Sequence, residues 1–229
     1  MDDLSLDLSA AHCTNRNVVS LRFIAIWLAL TLTALLLDQR LAACVHASRL
    51  DLFAKTSLLC SILKSPGTIS FTVVLMLINR FWSPRSSVGA VLLLASAAAS
   101  GLFYSLAKWA VGRSRPLDNA VLNAHPFQIH PFDGGLAGLF LPRPDQSFPS
   151  GHVSLAFATA AVMAIYYPRG RLFFFIIAGL VAVERLVESA HYLSDVVAGS
   201  GLGIIAAFCA DWLFRRYVGA LYPRQNRSI

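Results

Sequence analysis

Six stretches of this chain are almost wholly apolar. The first runs from Leu21 to Leu37 and meets Asp38 and Arg40 at its end. The second is centred on Ile69 to Trp82. Before it, Leu50 to Leu63 mixes charged and apolar positions in the manner of a helix lying in a membrane interface. The others run from Ser87 to Val111, Val153 to Tyr167, Leu172 to Glu188 and Ser194 to Trp212. Each approaches the roughly 20 residues that a helix needs to cross a bilayer. The pattern predicts an all-α integral membrane protein, with six transmembrane helices in a bundle. One segment breaks it: Gly112 to Ser150, rich in Pro, Gly, His and Asp, reads as a long extracytoplasmic loop between the third and fourth spans. A loop of this length in a compact domain is functional or disordered. The chain then divides into a cytoplasmic tail (1–20), a six-span domain (21–217) and a basic cytoplasmic tail (218–229). No small-residue cleavage site follows the first run, which is expected to be a span and not a signal peptide.

Composition agrees with this reading. Of 229 residues, 56% are hydrophobic and only 14% charged, against about a quarter charged in a soluble domain. The net charge of +7 does not point to nucleic acid here, because the basic residues sit at the ends of apolar runs, where loops and headgroups meet. Arg16 and Arg22, Arg80 and Arg85, Arg169 and Arg171, and the four arginines after Trp212 all fall on one side of a six-span chain, taken as cytoplasmic. The remaining basic residues lie outside, and topology does not explain them. Four cysteines are scattered without a CxxC pair, which argues against a metal knuckle or a redox motif. Cys44 and Cys60 fall on one side, and their pairing stays open.

Five of the unexplained cations occur in or near three short motifs. KWAVGRSRP (Lys108 to Pro116) closes the third span. Lys108 and Arg115 are seven residues apart, so a helix continuing to Pro116 puts both on one face. Alone, each is an ordinary snorkelling residue. FPSGH (Phe148 to His152) opens the fourth span. Ser150 suits an N-cap, yet a helix N-terminus is also an anion site. In ERLVESAHYLSD (Glu184 to Asp195), His191 and Asp195 are four apart, one helical turn. An Asp that accepts from one imidazole nitrogen fixes the tautomer and leaves the other nitrogen as a lone pair. With six alternating spans, all three motifs reach one membrane face. Three cations, two histidines, a carboxylate and a helix N-terminus suit a tetrahedral phosphate.

Lys108-x6-Arg115-Pro116, Pro149-Ser150-Gly151-His152 and Arg185-x5-His191-x3-Asp195 together resemble the three signature motifs of the type 2 phosphatidic acid phosphatases, in order and in spacing. The resemblance implies a six-span helical bundle acting as a membrane lipid phosphatase, without metal or other cofactor. It implies that Lys108, Arg115 and Arg185 bind phosphate with Ser150 and the Gly151 amide. It further implies that His191 attacks phosphorus, Asp195 orients it, and His152 protonates the leaving oxygen. One position departs. The family usually has Ser-Arg where this chain has Glu184-Arg185. A carboxylate there repels phosphate unless it turns away or pairs with a base such as Arg113.

The expected substrate is a lipid carrying a phosphate monoester or pyrophosphate: lipid A 1-phosphate, phosphatidylglycerol phosphate, undecaprenyl pyrophosphate or phosphatidic acid. The expected setting is a bacterial inner membrane with the site facing the periplasm. No nucleic-acid partner is expected, and the sequence leaves the oligomeric state open. A phosphotransferase passing the same phosphoryl group to a second lipid is the nearest alternative. A transporter is more remote, since it would carry its charges near the midplane and in broken helices. His125, His130, Asp118 and Asp133 read as polar loop residues, and Phe127, Phe132, Phe140 and Phe148 as interface contacts near a lipid entry.

Overall fold

The computed structural model of the protein describes residues 20–82, 87–116, 128–140 and 144–218. The two expected tails lie outside these residues apart from Ser20 and Val218, as do Arg85, Asp118, His125, Phe127 and Arg143. All six apolar segments are helical: α1 (Leu21–Ala47), α4 (Ile69–Trp82), α5 (Ser87–Val111), α7 (Gly151–Tyr166), α8 (Arg171–Val187) and α9 (Leu193–Leu213). Ser20 starts α1, its Oγ accepting the Phe23 amide at 3.1 Å. That helix does not end near Asp38; it continues to Ala47. Leu50 to Leu63, expected as one interfacial helix, forms two helices, α2 (Leu50–Thr56) and α3 (Leu58–Lys64), parted at an extended Ser57. The Thr56 hydroxyl bonds back to the carbonyls of Leu52 and Phe53, a local pairing that competes with helix continuation. A short α6 (Gly135–Phe140) lies in the long loop.

The protein is an all-helical, multi-pass membrane protein. Among the described residues, three helices are long and apolar enough to cross a membrane: Leu21–Ala47, Val88–Val111 and Leu193–Tyr217. The pair Leu58–Gly67 and Ile69–Phe81, bent by 66°, adds a fourth if it counts as one span. α7 is apolar but has only 16 residues, a rise of about 24 Å against a hydrocarbon core of roughly 30 Å. α8 has 17 residues and carries Arg171, Glu184 and Arg185 near its ends.

α7 is the centre of the bundle, packed by α5, α8 and α9, while α1 lies against α9. Its residues from Val153 to Met163 are buried except Phe157. One core joins Leu92 and Leu93 of α5 to Val162 and Met163 of α7 and to Ala207 and Ala210 of α9. A second joins Ala156 and Ala160 to Ala178 and Val181 of α8. Small residues let the helices approach closely, as membrane packing requires. A Cβ on Gly203 would stand 2.1 Å from the Ser154 carbonyl, and one on Gly199 would stand 2.6 Å from the Ser150 carbonyl. Hydroxyl pairs also join α7 to its neighbours, Ser154 to Ser100 of α5 at 2.8 Å and Thr159 to Thr72 of α4 at 3.2 Å. The outward faces are apolar and exposed, including Leu32, Leu36, Phe81, Leu172 and Phe173; lipid covers such surfaces in a membrane. Cys44, Cys60 and Cys209 are free thiols, so Cys44 and Cys60 do not pair.

Candidate active site

The C-terminal ends of α5 and α8 and the N-terminal ends of α7 and α9 bring the three motifs together. α5 stops earlier than the spacing of Lys108 and Arg115 implies. Gly112, at φ +59, donates its amide to the Lys108 carbonyl at 2.7 Å, the left-handed closure that ends many helices. A Cβ there would stand 2.0 Å from the His130 carbonyl oxygen. Beyond it two residues make isolated antiparallel bridges, Arg113 to Ile129 and Ser114 to Gln146. Arg115 therefore lies past the end of α5, after two bridged residues, and not on a continued helix face. Lys108 is buried, and its Nζ donates to the Gln146 carbonyl at 2.5 Å. That bond ties α5 to the segment leading into α7.

Ser150 stands at the N-cap of α7, as expected, yet its side chain caps nothing. Its amide donates to the Asp195 carbonyl at 3.0 Å and its carbonyl accepts from Ser154 at 3.0 Å. The buried Oγ has no hydrogen-bond partner among the described residues. A buried hydroxyl in this condition, beside the open amides of a helix N-terminus, suits an anion. Gly151 lies against the Tyr104 ring, where a Cβ would come within 3.4 Å. His152 follows in the first turn, half-buried. The turn Ser65–Gly67 backs it so closely that a Cβ on Gly67 would stand 2.7 Å from the His152 carbonyl oxygen. Arg185, His191, Lys64 and Arg115 all act electrostatically on His152.

His191 is not on α9 with Asp195; it precedes the helix, whose N-cap is Tyr192. Asp195 is the third residue of α9, and its Oδ2 accepts the Tyr192 amide at 2.9 Å. The same Oδ2 stands 3.6 Å from His191 Nδ1. That separation is electrostatic contact, longer than a hydrogen bond. Burial pushes the His191 imidazole below its ordinary pKa. Asp195 pulls the other way, and the charges of Lys108 and Arg115 push it further down.

Glu184 pairs with its own neighbour and not with Arg113. It receives Arg185 Nε at 2.5 Å and Nη2 at 2.6 Å, the two-pronged geometry natural to guanidinium and carboxylate. Glu188 also contacts Arg185 Nη2 and lies 3.6 Å from Lys64 Nζ. Arg113 is committed elsewhere, to Asp38 and Asp195. Three residues with no assigned role thus shape the site: Arg113, Asp38 and Glu188. The available signal was an acid in an apolar helix, which demands a partner. Among the described residues, no group of three or more His, Cys, Asp and Glu side chains is arranged to hold a metal ion. In the long loop, Ile129, Phe132 and Leu136 are exposed. The Phe132 ring meets Trp109 edge-on at 4.8 Å.

Residues 89–218 match the family model of the PAP2 superfamily, a segment that contains all three motifs. The chain belongs to the PAP2 superfamily. Within this superfamily it is similar to the lipid A 1-phosphatase of Rhizobium etli, at 38% identity over 104 residues, covering 45% of this chain and 41% of that protein. It is also similar to the lipid A 1-phosphatase of Rhizobium johnstonii, at 36% identity over 117 residues, covering 51% of this chain and 44% of that protein. The chain thus spans less than half the length of these curated relatives. Its fold is similar to the crystal structure of LpxE from Aquifex aeolicus, with a TM-score of 0.55 and 20% identity, over 77% of this chain and 95% of that one. The PAP2 segment begins after α1, so Asp38 lies outside it.

Proposed function

We propose that the protein is a metal-independent lipid phosphatase working through a phosphohistidine on His191. The observation that carries this reading is the meeting of Lys108, Arg115, Ser150, Gly151, His152, Arg185, His191 and Asp195 at four helix ends in a PAP2 chain. In the first step, the neutral Nε2 of His191 attacks phosphorus. Charge gathering on the equatorial oxygens is met by Lys108, Arg115 and Arg185, with the Ser150 hydroxyl and the Gly151 amide. The bond from phosphorus to the lipid oxygen breaks, and protonated His152 gives that oxygen its proton. In the second step, His152 takes a proton from water, which attacks the phosphohistidine. The phosphorus–nitrogen bond breaks, and inorganic phosphate leaves with His191 neutral again.

The relatives favour a lipid A 1-phosphate type of substrate. Phosphatidylglycerol phosphate, undecaprenyl pyrophosphate and phosphatidic acid are the comparison set. We place the protein in a bacterial inner membrane with six spans, α7 and α8 completing the four longer ones, and with the site on the periplasmic side. The exposed Ile129, Phe132 and Leu136 support lipid entry from the bilayer. The test is phosphate release from purified members of this set in detergent, with EDTA present. Full activity in EDTA with one preferred lipid is expected. Loss in EDTA contradicts the metal-independent mechanism, and label passing to a second lipid identifies a phosphotransferase.

Two further outcomes follow from the geometry. Arg185 must exchange carboxylate for phosphate, so Glu184→Ser should lower KM by roughly tenfold, the order of one charge-assisted hydrogen bond. Steady-state KM checks this, and an unchanged or higher value contradicts it. Second, burial holds His191 below the usual histidine value of about 6.5. A lowered pKa keeps the imidazole neutral, and nucleophilic, as pH falls through 6.5. The acid limb of kcat/KM belonging to His191, after dividing out the substrate's own ionisation, should therefore lie below 6.5. A His191 limb at or above that value contradicts the assignment.

A further inference from the structure

Asp38 is fully buried in α1, within a helix that otherwise faces lipid and other helices. Its carboxylate serves another helix. Oδ1 accepts the Ser194 amide at 2.8 Å, and Oδ2 accepts the Ser194 hydroxyl at 2.5 Å. Asp38 thereby caps the N-terminus of α9 from outside, where a negative charge meets the positive end of the helix dipole. Its Oδ2 also accepts from Arg113 Nη2 at 3.0 Å. The other prong of Arg113, Nη1, reaches Asp195 Oδ1 at 2.9 Å and Ser194 Oγ at 2.8 Å. The guanidinium carbon rests 3.8 Å above the Tyr192 ring. One buried cation therefore joins two buried carboxylates, one on α1 and one beside His191.

We propose that Asp38 and Arg113 are a positioning pair, which fixes the Asp195 carboxylate and through it the orientation of His191. The inference rests on the reading of His191 as nucleophile. Asp195 has two oxygens. The Tyr192 amide fixes one and Arg113 the other, so the carboxylate plane cannot turn away from His191 Nδ1. Only a planar fork spans both acids; a lysine offers one point charge. Asp38 in turn holds the fork from the far side and locks α1 to the start of α9. Neither residue touches substrate.

The test uses Asp38→Asn, Arg113→Gln and the double variant of the full-length protein in detergent. For each, kcat, KM and the thermal unfolding midpoint are measured. Arg113→Gln leaves both Asp38 and Asp195 buried without their shared cation and lowers stability most; Asp38→Asn leaves Arg113 paired with Asp195; the double change removes one of the two orphaned carboxylates and recovers part of the loss. The inference expects kcat to fall in the double variant by on the order of tenfold to a hundredfold, as for orienting partners of metal-bound histidines, with KM unchanged. Relative to Arg113→Gln, stability should return in part while kcat does not. A double variant with wild-type kcat overturns the inference, because the pair is then only structural. A rise in KM with kcat intact also overturns it. His191→Ala is the control. If it is inactive while the double variant is fully active, the positioning role alone fails. If His191→Ala is itself active, the nucleophile assignment falls and the inference with it.

Discussion

His191→Ala should release no measurable phosphate from any lipid while remaining folded. The expected loss in kcat is at least on the order of 10⁴-fold, the scale seen when a nucleophile is removed and only binding groups remain. Folding should survive because His191 ties no helix to another. Its Nδ1 makes no hydrogen bond among the described residues. The cap of α9 is built by Tyr192, Asp195 and Asp38 instead. Thermal unfolding near the wild-type midpoint, with phosphate release at background, is the expected pair of results. Retained turnover would remove the nucleophile from the mechanism.

Arg115→Ala should lower kcat/KM by on the order of 10²- to 10³-fold, the range for one lost donor to a developing oxyanion. Its charge acts on both histidines, which sets it beside the proposed nucleophile and the proposed acid. Arg115→Lys should recover only part of the loss, because the planar fork is gone. A change within a few-fold on Arg115→Ala would exclude Arg115 from the phosphate clamp. Arg185 is held by Glu184 and Glu188.

What was legible in the sequence was whatever is encoded locally. The apolar runs marked the place of α4 (Ile69–Trp82) and the extent of α5 (Ser87–Val111). PSGH marked the start of α7 within a residue or two. Contacts between distant segments were not legible. Asp38 and Arg40 looked like the end of the first helix, because a charge normally closes an apolar run. The helix instead continues to Ala47, since Asp38 finds Arg113 and Ser194, 75 and 156 residues away. The sequence offers Arg113 as a partner for Glu184. The geometry gives that role to Arg185, the adjacent residue, because both side chains sit in one buried turn at the end of α8. Spacing alone likewise placed His191 and Asp195 on one helix. The N-terminus of α9 falls between them, and the pair meets through a capping turn. Ser150 was correctly placed at a helix start, but a backbone bond to Asp195 and the absence of a side-chain cap depend on the fold.

The central claim is a covalent phosphoryl group on His191. It is tested most directly by quenching the protein in alkali during turnover of a lipid labelled at phosphorus, then locating the label by peptide mass spectrometry. An acid-labile, alkali-stable phosphoryl group on His191 is expected, and none in His191→Ala. Label on another residue, or no phosphoprotein while phosphate is still released, would contradict the claim.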